Sequence, residues 1–212
     1  MPIEAVIFDL DGTLVDSGAT VPAAYAAAIE ELCGRRCTDE EIIAAYSAGP
    51  APALISRFTG RLSACSDVDC WLRHLEARLA LTRVYPGVRE AGSSLRAAGK
   101  RLAVFTGAIR RAAEMQLRHA GLDDAIDAVV GSDEIAFVKP APDGIFLACD
   151  RLGVDPGRVA YVGDALNDLR CARAAGAVPI AAAWGHLFES DDEPHLTALT
   201  PHDLLPLVGR AA

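Results

Sequence analysis

The 212-residue chain is poor in several kinds of residue and segment, and each shortage excludes a class of protein. It has no run of about 20 uncharged apolar residues, which a membrane-spanning helix needs, so we expect no membrane span. Its first residues lack the basic segment and the apolar run of a secretory signal, so we expect a cytoplasmic protein. Six cysteines are too few for a disulfide-dense scaffold of this length.

Basic residues are also in the minority, with 20 Lys and Arg against 29 Asp and Glu. The resulting net charge of −9 repels nucleic acid phosphates and anionic lipids, so neither is an expected partner. A small anionic substrate is still compatible, because a metal ion and a few cations in a pocket outweigh a diffuse charge. The length predicts one domain or one domain with a small insert, with an aliphatic core because aromatic residues make up only 6%.

Short apolar runs alternate with helical patterns over much of the chain. We predict strands at 3–8, 101–105, 158–162 and 178–182, and a weaker one at 126–130. Helical patterns lie between them at 87–98, 109–120, 142–152 and 166–175. This alternation predicts an α/β fold with a doubly wound, Rossmann-like parallel sheet.

The interval 16–84 breaks this alternation. It contains no convincing strand, and helical patterns occur at 21–32, 39–46, 51–58 and 68–81. We interpret 16–84 as an all-helical segment inserted into a core formed by residues 1–15 together with 85–212. Tyr85-Pro86-Gly87 is a plausible hinge where the core resumes.

Polar residues collect where the predicted strands end. The residues concerned are Asp9, Asp11, Thr106, Gly107, Lys139, Asp164 and Asp168. Taken singly, each could build a turn, cap a helix or lie on the surface. The carboxyl ends of the strands in a doubly wound sheet form its ligand-binding edge, however, so we expect the segments that carry these residues to converge on one site.

In this order the segments resemble the four motifs of the haloacid dehalogenase superfamily of aspartate-nucleophile phosphatases and phosphomutases. The matching segments are Asp9-Leu10-Asp11-Gly12-Thr13, Thr106, Lys139-Pro140 and Gly163-Asp164-Ala165-Leu166-Asn167-Asp168. The insert directly after the first motif resembles the helical cap of the phosphoglycolate phosphatase and β-phosphoglucomutase branch. Gly107 departs from the pattern, since Asn often follows the Ser or Thr, but the family uses a backbone amide there.

The resemblance implies Mg²⁺-dependent hydrolysis of a small phosphorylated metabolite through an aspartyl-phosphate. Asp9 would be the nucleophile and, with Asp164, a carboxylate ligand of the Mg²⁺, which prefers hard oxygen ligands. Asp11 would bind the metal through its backbone carbonyl and serve as general acid and base. We expect a monomer or a weak homodimer.

The remaining motif residues would bind the phosphoryl group or support that binding. Thr106, Gly107 and Lys139 would contact it, and Lys139 would offset its charge. Asp168 would hold a metal-bound water or orient Lys139. In the insert, the candidates for recognising the rest of the substrate are Tyr46, Ser47, Gly49 and Arg57. Arg57 could bind a second anionic group or lie solvated on a helix.

Two other functions are compatible with part of this pattern. A phosphomutase of the β-phosphoglucomutase type usually begins the fourth motif with Glu-Asp, whereas Gly163-Asp164 is more similar to the hydrolases. A phosphorylation-switched, receiver-like binding module also combines an acceptor Asp with acidic residues, a Thr and a Lys. Such modules are shorter, have no helical insert and carry their acceptor Asp after a later strand.

Overall fold

The computed structural model describes residues 2–188 and 195–210. Its strands are β1 (Ala5–Phe8), β2 (Val15–Asp16), β3 (Arg83–Val84), β4 (Arg101–Phe105), β5 (Ala128–Val130), β6 (Val159–Gly163), β7 (Val178–Ala182) and β8 (Leu196–Ala198). Its helices are α1 (Thr20–Cys33), α2 (Asp39–Ala44), α3 (Ala51–Thr59), α4 (Cys65–Glu76), α5 (Val88–Ala97), α6 (Arg110–Ala120), α7 (Asp143–Leu152), α8 (Leu166–Ala175) and α9 (Leu204–Arg210). None of these helices is long and apolar enough to cross a membrane.

A parallel sheet with the strand order β5-β4-β1-β6-β7-β8 forms the centre of the molecule. The central strand β1 pairs with β4 on one side and β6 on the other, so that Phe8 lies opposite both Val104 and Val162. The residues that follow these three strands therefore meet at one edge of the sheet.

Both faces of the sheet are covered by helices, as the alternating pattern predicts. Val6 and Phe8 of β1 pack in one apolar cluster with residues of α5, α6 and α9. Ala5 and Ile7 point to the opposite face and pack with residues of α7 and α8. This alternation of side chains along the strand, with helices on both sides, confirms the doubly wound α/β fold.

The segment between β2 and β3 folds as helices α1–α4 around an apolar cluster of its own. Trp71 stacks on Tyr25 inside this cluster, with ring centroids 4.7 Å apart. Ile109 and Ala112, from the start of α6, belong to the same cluster and connect it to the sheet domain. The insertion is thus helical, as expected, and lies over one end of α6.

The expectation that 16–84 contains no strand is wrong at its two ends. Val15 pairs with Val84 and Asp16 with Arg83 in a short antiparallel ribbon, β2–β3. Strands of two residues are too short for a period-2 pattern, so this ribbon has no signal in the sequence. The strand β8 and the helix α9 were also not predicted, because the first has three residues and the second contains Pro206.

Helix boundaries in the insertion also differ from the predicted ones. Helix α4 begins three residues before Val68, because the Asp67 carboxylate accepts a hydrogen bond of 2.8 Å from the backbone N–H of Ala64. The same helix ends at Glu76 rather than at Leu81. The α2 helix ends at Ala44, and Tyr46 lies in a separate 3₁₀ turn.

Candidate active site

A cavity of about 400 Å³ opens at the carboxyl edge of the sheet, between that edge and helices α1–α4. The predicted residues that line it are Asp9, Asp11, Tyr46, Gly49, Thr106, Gly107, Lys139, Asp164 and Asp168. The structure therefore brings all four motif segments to one place. Ser47 and Arg57 do not line this cavity.

Lys139 forms the electrostatic centre of the cavity. Its ammonium nitrogen lies 2.7 Å from Oδ1 of Asp9 and 2.7 Å from Oδ1 of Asp168. Burial alone would lower the pKa of this lysine, but the two carboxylates hold it well above its usual value. The buried ammonium is therefore charged and fixed in position between two segments of the chain.

Asp168 is a buried carboxylate that contacts Lys139 and two other groups. Its Oδ1 accepts hydrogen bonds from Lys139 and, at 3.3 Å, from the Tyr161 hydroxyl, and its Oδ2 accepts one of 3.0 Å from the backbone N–H of Ala165. Because both oxygens already have partners, this geometry favours the expectation that Asp168 orients Lys139.

Asp164 is buried, and one of its carboxylate oxygens is unpaired. Oδ2 accepts a hydrogen bond of 2.9 Å from the backbone N–H of Leu187, whereas Oδ1 has no hydrogen-bond partner. Burial raises the pKa of this carboxyl. A buried oxygen without a partner is costly, and a cation bound to it would remove that cost.

The carboxylates of Asp9, Asp164 and Asp168 are close enough to share a metal ion, with one oxygen of each within 4.8 Å of the others. Burial raises the pKa of Asp9, and Lys139 acts in the opposite direction. One ammonium thus faces three buried carboxylates, so negative charge is in excess. The donor set of hard oxygens, with an unpaired one on Asp164, fits Mg²⁺.

Backbone geometry brings the first loop against Asp164. Gly12 has a φ of +87°, and a Cβ atom built there would lie 2.3 Å from Oδ2 of Asp164. Gly185 approaches from the other side, and its Cβ would lie 2.2 Å from the Cβ of Asp164. Glycine at both positions therefore lets two loops close around the carboxylate.

Asp11 has different surroundings from Asp9, although only one residue separates them. Its Oδ1 accepts a hydrogen bond of 2.5 Å from the Ser17 hydroxyl, and it makes no ion pair with Lys139 within the salt-bridge distance. Burial raises the pKa of the Asp11 carboxyl, while the hydrogen-bonding side chains of Ser17 and Gln116 act to lower it. A carboxyl with a raised pKa next to a cavity is suited to transferring protons.

Thr106 and Gly107 line the same cavity as the carboxylates. The Thr106 side chain is buried, and its Oγ1 accepts a hydrogen bond of 3.1 Å from the backbone N–H of Ala108. Its hydroxyl proton is therefore free to be donated towards the cavity. Gly107 borders open space, with no atom within 4 Å of a Cβ built there, so its backbone is accessible.

Several residues that line the cavity were not predicted from the sequence. They are Ser17, Tyr25, Trp71, Gln116 and His186, among others. Ser17 follows the first motif closely enough to be considered as a partner of Asp11. Trp71 and Gln116 lie within helices, and only the packing of α1 and α4 against α6 decides which of their residues face the cavity.

Comparisons with known proteins agree with this geometry. Residues 3–176 match the model of the haloacid dehalogenase-like hydrolase family. A phosphoglycolate phosphatase of Nitrosospira multiformis is 37% identical over 88% of this chain and 86% of its own length. An N-acetylmuramic acid 6-phosphate phosphatase of Pseudomonas aeruginosa is 30% identical over 100% of this chain and 97% of its own length. The solved structure of CbbY from Rhodobacter sphaeroides in complex with phosphate has a TM-score of 0.82 and 25% identity, covering 95% of this chain and 96% of that one. The chain belongs to the haloacid dehalogenase-like hydrolase family.

Proposed function

We propose that this hydrolase is a Mg²⁺-dependent phosphatase that cleaves the phosphate monoester of a small metabolite, phosphoglycolate-like or a sugar phosphate, through an aspartyl-phosphate. The observation that carries the proposal is the pair formed by Asp9 and Lys139, 2.7 Å apart at the end of the central strand and facing the cavity. Relatives named as phosphatases support the same class of reaction.

The metal would be held by the carboxylates of Asp9 and Asp164 and by the backbone carbonyl of Asp11. Bound there, Mg²⁺ supplies the positive charge that lets an anionic nucleophile approach an anionic phosphoryl group. The unpaired Oδ1 of Asp164 and the excess of carboxylates over ammonium groups support this assignment.

The chain's own residues would divide the reaction between them. Asp9 attacks phosphorus to form the aspartyl-phosphate, while Lys139 offsets charge on the phosphoryl oxygens. The Thr106 hydroxyl and the Gly107 backbone hold those oxygens in position. Asp11 protonates the leaving oxygen and then takes a proton from the water that hydrolyses the intermediate.

The surroundings of Gly163 favour a hydrolase over a phosphomutase. A Cβ atom at this position would lie 2.4 Å from the Cβ of Asp168, so a larger residue there would displace the side chain that orients Lys139. Phosphomutases of the β-phosphoglucomutase type usually have Glu at the position of Gly163. A Glu side chain therefore does not fit on this backbone.

We also propose that residues 16–84 act as the cap domain over a core formed by 1–15 and 85–212. The β2–β3 ribbon joins the two, and the backbone N–H of Tyr85 donates a hydrogen bond of 3.1 Å to the carbonyl of Leu14 at its base. Helices α1–α4 cover the cavity, which would exclude water from Asp9 and Asp11 during the reaction.

The test is hydrolysis of an aryl phosphate with and without Mg²⁺. Turnover should require the metal and should stop in excess chelator. Asp9→Asn is nearly isosteric and should reduce turnover to below a few per cent while the circular dichroism spectrum is unchanged. Asp16→Asn, which changes an exposed carboxylate of the ribbon, is the matched control and should keep the activity. Metal-independent turnover, or an active Asp9→Asn variant, would contradict the proposal.

A further inference from the structure

The wall of the cavity that the insertion contributes carries no charge. Among the described residues that 17–84 contributes to the lining, each is apolar, a glycine or a neutral aromatic, except Ser17, whose hydroxyl is bonded to Asp11. Tyr25, Leu54 and Trp71 form much of this wall. A substrate whose phosphoryl group lies at Asp9 would place its leaving group against it.

Cations near the wall are scarce and already engaged. Among the described residues that line the cavity, the side chains able to carry positive charge are Lys139 and His186. Lys139 is paired with Asp9 and Asp168. His186 is exposed at the mouth, where its Nδ1 lies 3.4 Å from the Tyr85 hydroxyl. Arg57, the sequence candidate for a second anionic group, does not line the cavity.

Two neutral side chains at the cavity, Gln116 of α6 and Trp71 of the wall, have no hydrogen-bond partner of normal geometry. Gln116 is 1% exposed, neither Nε2 nor Oε1 of its side chain is hydrogen-bonded at such geometry, and its carboxamide lies close enough to Asp11 to lower the pKa of that carboxyl. The Nε1 of Trp71, which is 2% exposed, is unpaired as well. Buried groups of this kind are normally satisfied, so the amide and the indole N–H are placed to pair with a ligand.

Of the two substrate classes named under the proposed function, we propose that the cavity selects the sugar-phosphate-like one, the phosphate ester of an uncharged alcohol that combines an apolar face with hydroxyl or carbonyl groups, and that it rejects esters with a second anionic group, phosphoglycolate included. This rests on the proposed function, because the phosphoryl group must lie at Asp9 for the leaving group to meet the wall. Gln116 is the specificity-determining residue, since its carboxamide offers both a donor and an acceptor.

The physical reason for rejection is desolvation. A carboxylate against this wall would lose its hydration and find no cation to replace it. An alcohol of the same size loses less on leaving water and gains hydrogen bonds to Gln116 or Trp71. The cavity volume of about 400 Å³ also leaves room for a leaving group larger than two carbon atoms.

The first test compares three unactivated alkyl esters, so that the chemistry of the leaving group is matched. Relative to phosphoglycolate, we expect kcat/KM to be at least ~100-fold higher for 2-hydroxyethyl phosphate and for benzyl phosphate, because a buried charge without a partner is strongly disfavoured. Efficient turnover of phosphoglycolate would overturn this inference while leaving the proposed phosphatase intact. Failure to hydrolyse these esters and an aryl phosphate would instead overturn the proposed function.

A variant that adds a positive charge to the wall tests whether the lack of a cation there excludes anionic leaving groups. Ile43 lines the cavity from α2 and is 46% exposed, so a long side chain can be accommodated there. Ile43→Arg should raise kcat/KM for phosphoglycolate by about 10-fold relative to 2-hydroxyethyl phosphate, since it supplies a cation. Ile43→Gln, of similar length but neutral, should leave this ratio unchanged. An unchanged ratio in Ile43→Arg would count against the inference, as would a loss of phosphoglycolate turnover in Arg57→Gln.

A second variant tests the role of Gln116. Gln116→Leu keeps the approximate volume but removes the hydrogen-bonding groups, so kcat/KM for 2-hydroxyethyl phosphate should fall about 10-fold, mainly through KM. Benzyl phosphate, which has no second polar group, should be affected less than about threefold. Met115→Leu, the neighbouring position on α6, is the control for helix packing. An equal fall for both esters would show that Gln116 acts through Asp11 or the fold and would overturn its role in specificity.

Discussion

Asp9 and Asp11 are the same type of residue, but their surroundings suit them to different tasks. Burial raises the pKa of both carboxyls, but Asp9 lies against the fixed ammonium of Lys139, which acts to lower it and would keep the carboxylate available for nucleophilic attack. Asp11 is paired with a neutral hydroxyl, and burial raises its pKa, which favours proton donation. Asp9 contacts Lys139, which is 130 residues away in the chain, whereas Asp11 contacts Ser17, which is six residues away. These contacts account for the difference between the two carboxyls.

This difference predicts how Asp11→Asn behaves with two kinds of leaving group. The variant keeps the backbone carbonyl assigned to the metal, so Mg²⁺ binding should persist, but it cannot donate a proton. Phosphorylation of Asp9 by an alkyl ester such as 2-hydroxyethyl phosphate should slow by ~10²–10⁴-fold. An aryl ester, which leaves as a stabilised phenolate, should slow far less. Single-turnover kinetics separate this step from hydrolysis of the aspartyl-phosphate.

Hydrolysis of the aspartyl-phosphate should slow equally with both esters, because the intermediate is the same. Ser17→Ala is the matched variant: it removes the hydroxyl that contacts Asp11 but leaves the carboxyl, so it should retain much of the acid–base function. Equal slowing of phosphorylation for the alkyl and the aryl ester would show that Asp11 has a structural role.

At the scale of elements, Glu134 connects segments that lie before and after Lys139 in the chain. Its carboxylate accepts hydrogen bonds from Arg151 of α7 at 2.6 Å, from Arg110 of α6 at 3.1 Å and from the backbone N–H of Gly131 at 2.9 Å. Although burial alone would raise it, these contacts lower the pKa of Glu134 to about 2. Because the pKa of Glu134 is lower in the folded state than its usual value of 4.5, ionised Glu134 stabilises the fold at pH values above 4.5. This stabilisation is lost as the pH falls from 4.5 towards 2.

The Glu134→Gln variant should therefore have a lower free energy of unfolding than the unchanged protein at neutral pH. The difference between the two free energies should become smaller as the pH is lowered. The gap between a pKa of 4.5 and one of about 2 corresponds to at most roughly 3 kcal/mol of unfolding free energy. Urea denaturation at about pH 7 and at about pH 4 measures the change. Glu114→Gln, which removes the more exposed carboxylate that contacts Arg110, is the control and should cost less. A difference independent of pH would mean that the contacts of Glu134 are not ionic in origin.

Elements differ in how far local sequence could predict them. The helix α8 and the strands β4 and β7 have the predicted bounds, because a continuous apolar run or a closing glycine marks their ends. The strand β8 pairs with β7 at the edge of the sheet, and Leu196–Ala198 alone carries no strand pattern. Its existence depends on a partner strand rather than on its own sequence.

The same distinction applies to the site. The order of parallel strands brings Asp9, Thr106 and Asp164 to one edge, so a rule about sheets was enough to expect them together. Gln116 and Trp71 reach the cavity because α4 and α6 pack against each other, as the ion pair of 2.7 Å between Asp69 and Arg111 also shows. Helix packing of this kind has no signature in a single sequence. The sequence candidates Ser47 and Arg57 lie outside the cavity for the same reason.

At the scale of the whole molecule, the apolar clusters on the two faces of the sheet and the cluster inside the insertion are separate. Among the described residues, the sheet clusters contain none from 16–83. The insertion cluster includes two residues from outside the insertion, Ile109 directly before α6 and Ala112 in its first turn. Most of the burial that stabilises the sheet therefore does not depend on helices α1–α4.

This separation predicts that the core folds without the insertion. The two ends of the insertion are adjacent, since the Tyr85 N–H donates a hydrogen bond of 3.1 Å to the Leu14 carbonyl, so a short glycine linker can replace 16–84. The shortened chain should unfold in one cooperative urea transition, at lower stability because Ile109 and Ala112 become exposed. It should also lose the fluorescence of Trp71.

Activity of the shortened chain tests the division of labour between the two parts. Asp9, Lys139 and Asp164 are all outside 16–84, so an aryl phosphate should still be hydrolysed, although more slowly, because water is no longer excluded from the carboxylates. Discrimination between 2-hydroxyethyl phosphate and phosphoglycolate should fall to about the contribution of Gln116, since the uncharged wall is gone but Gln116 remains. Asp9→Asn in the shortened chain is the control for contaminating phosphatase. Absence of a cooperative transition would show that the sheet and the insertion form one folding unit, and that the boundaries at 16 and 84 do not separate domains.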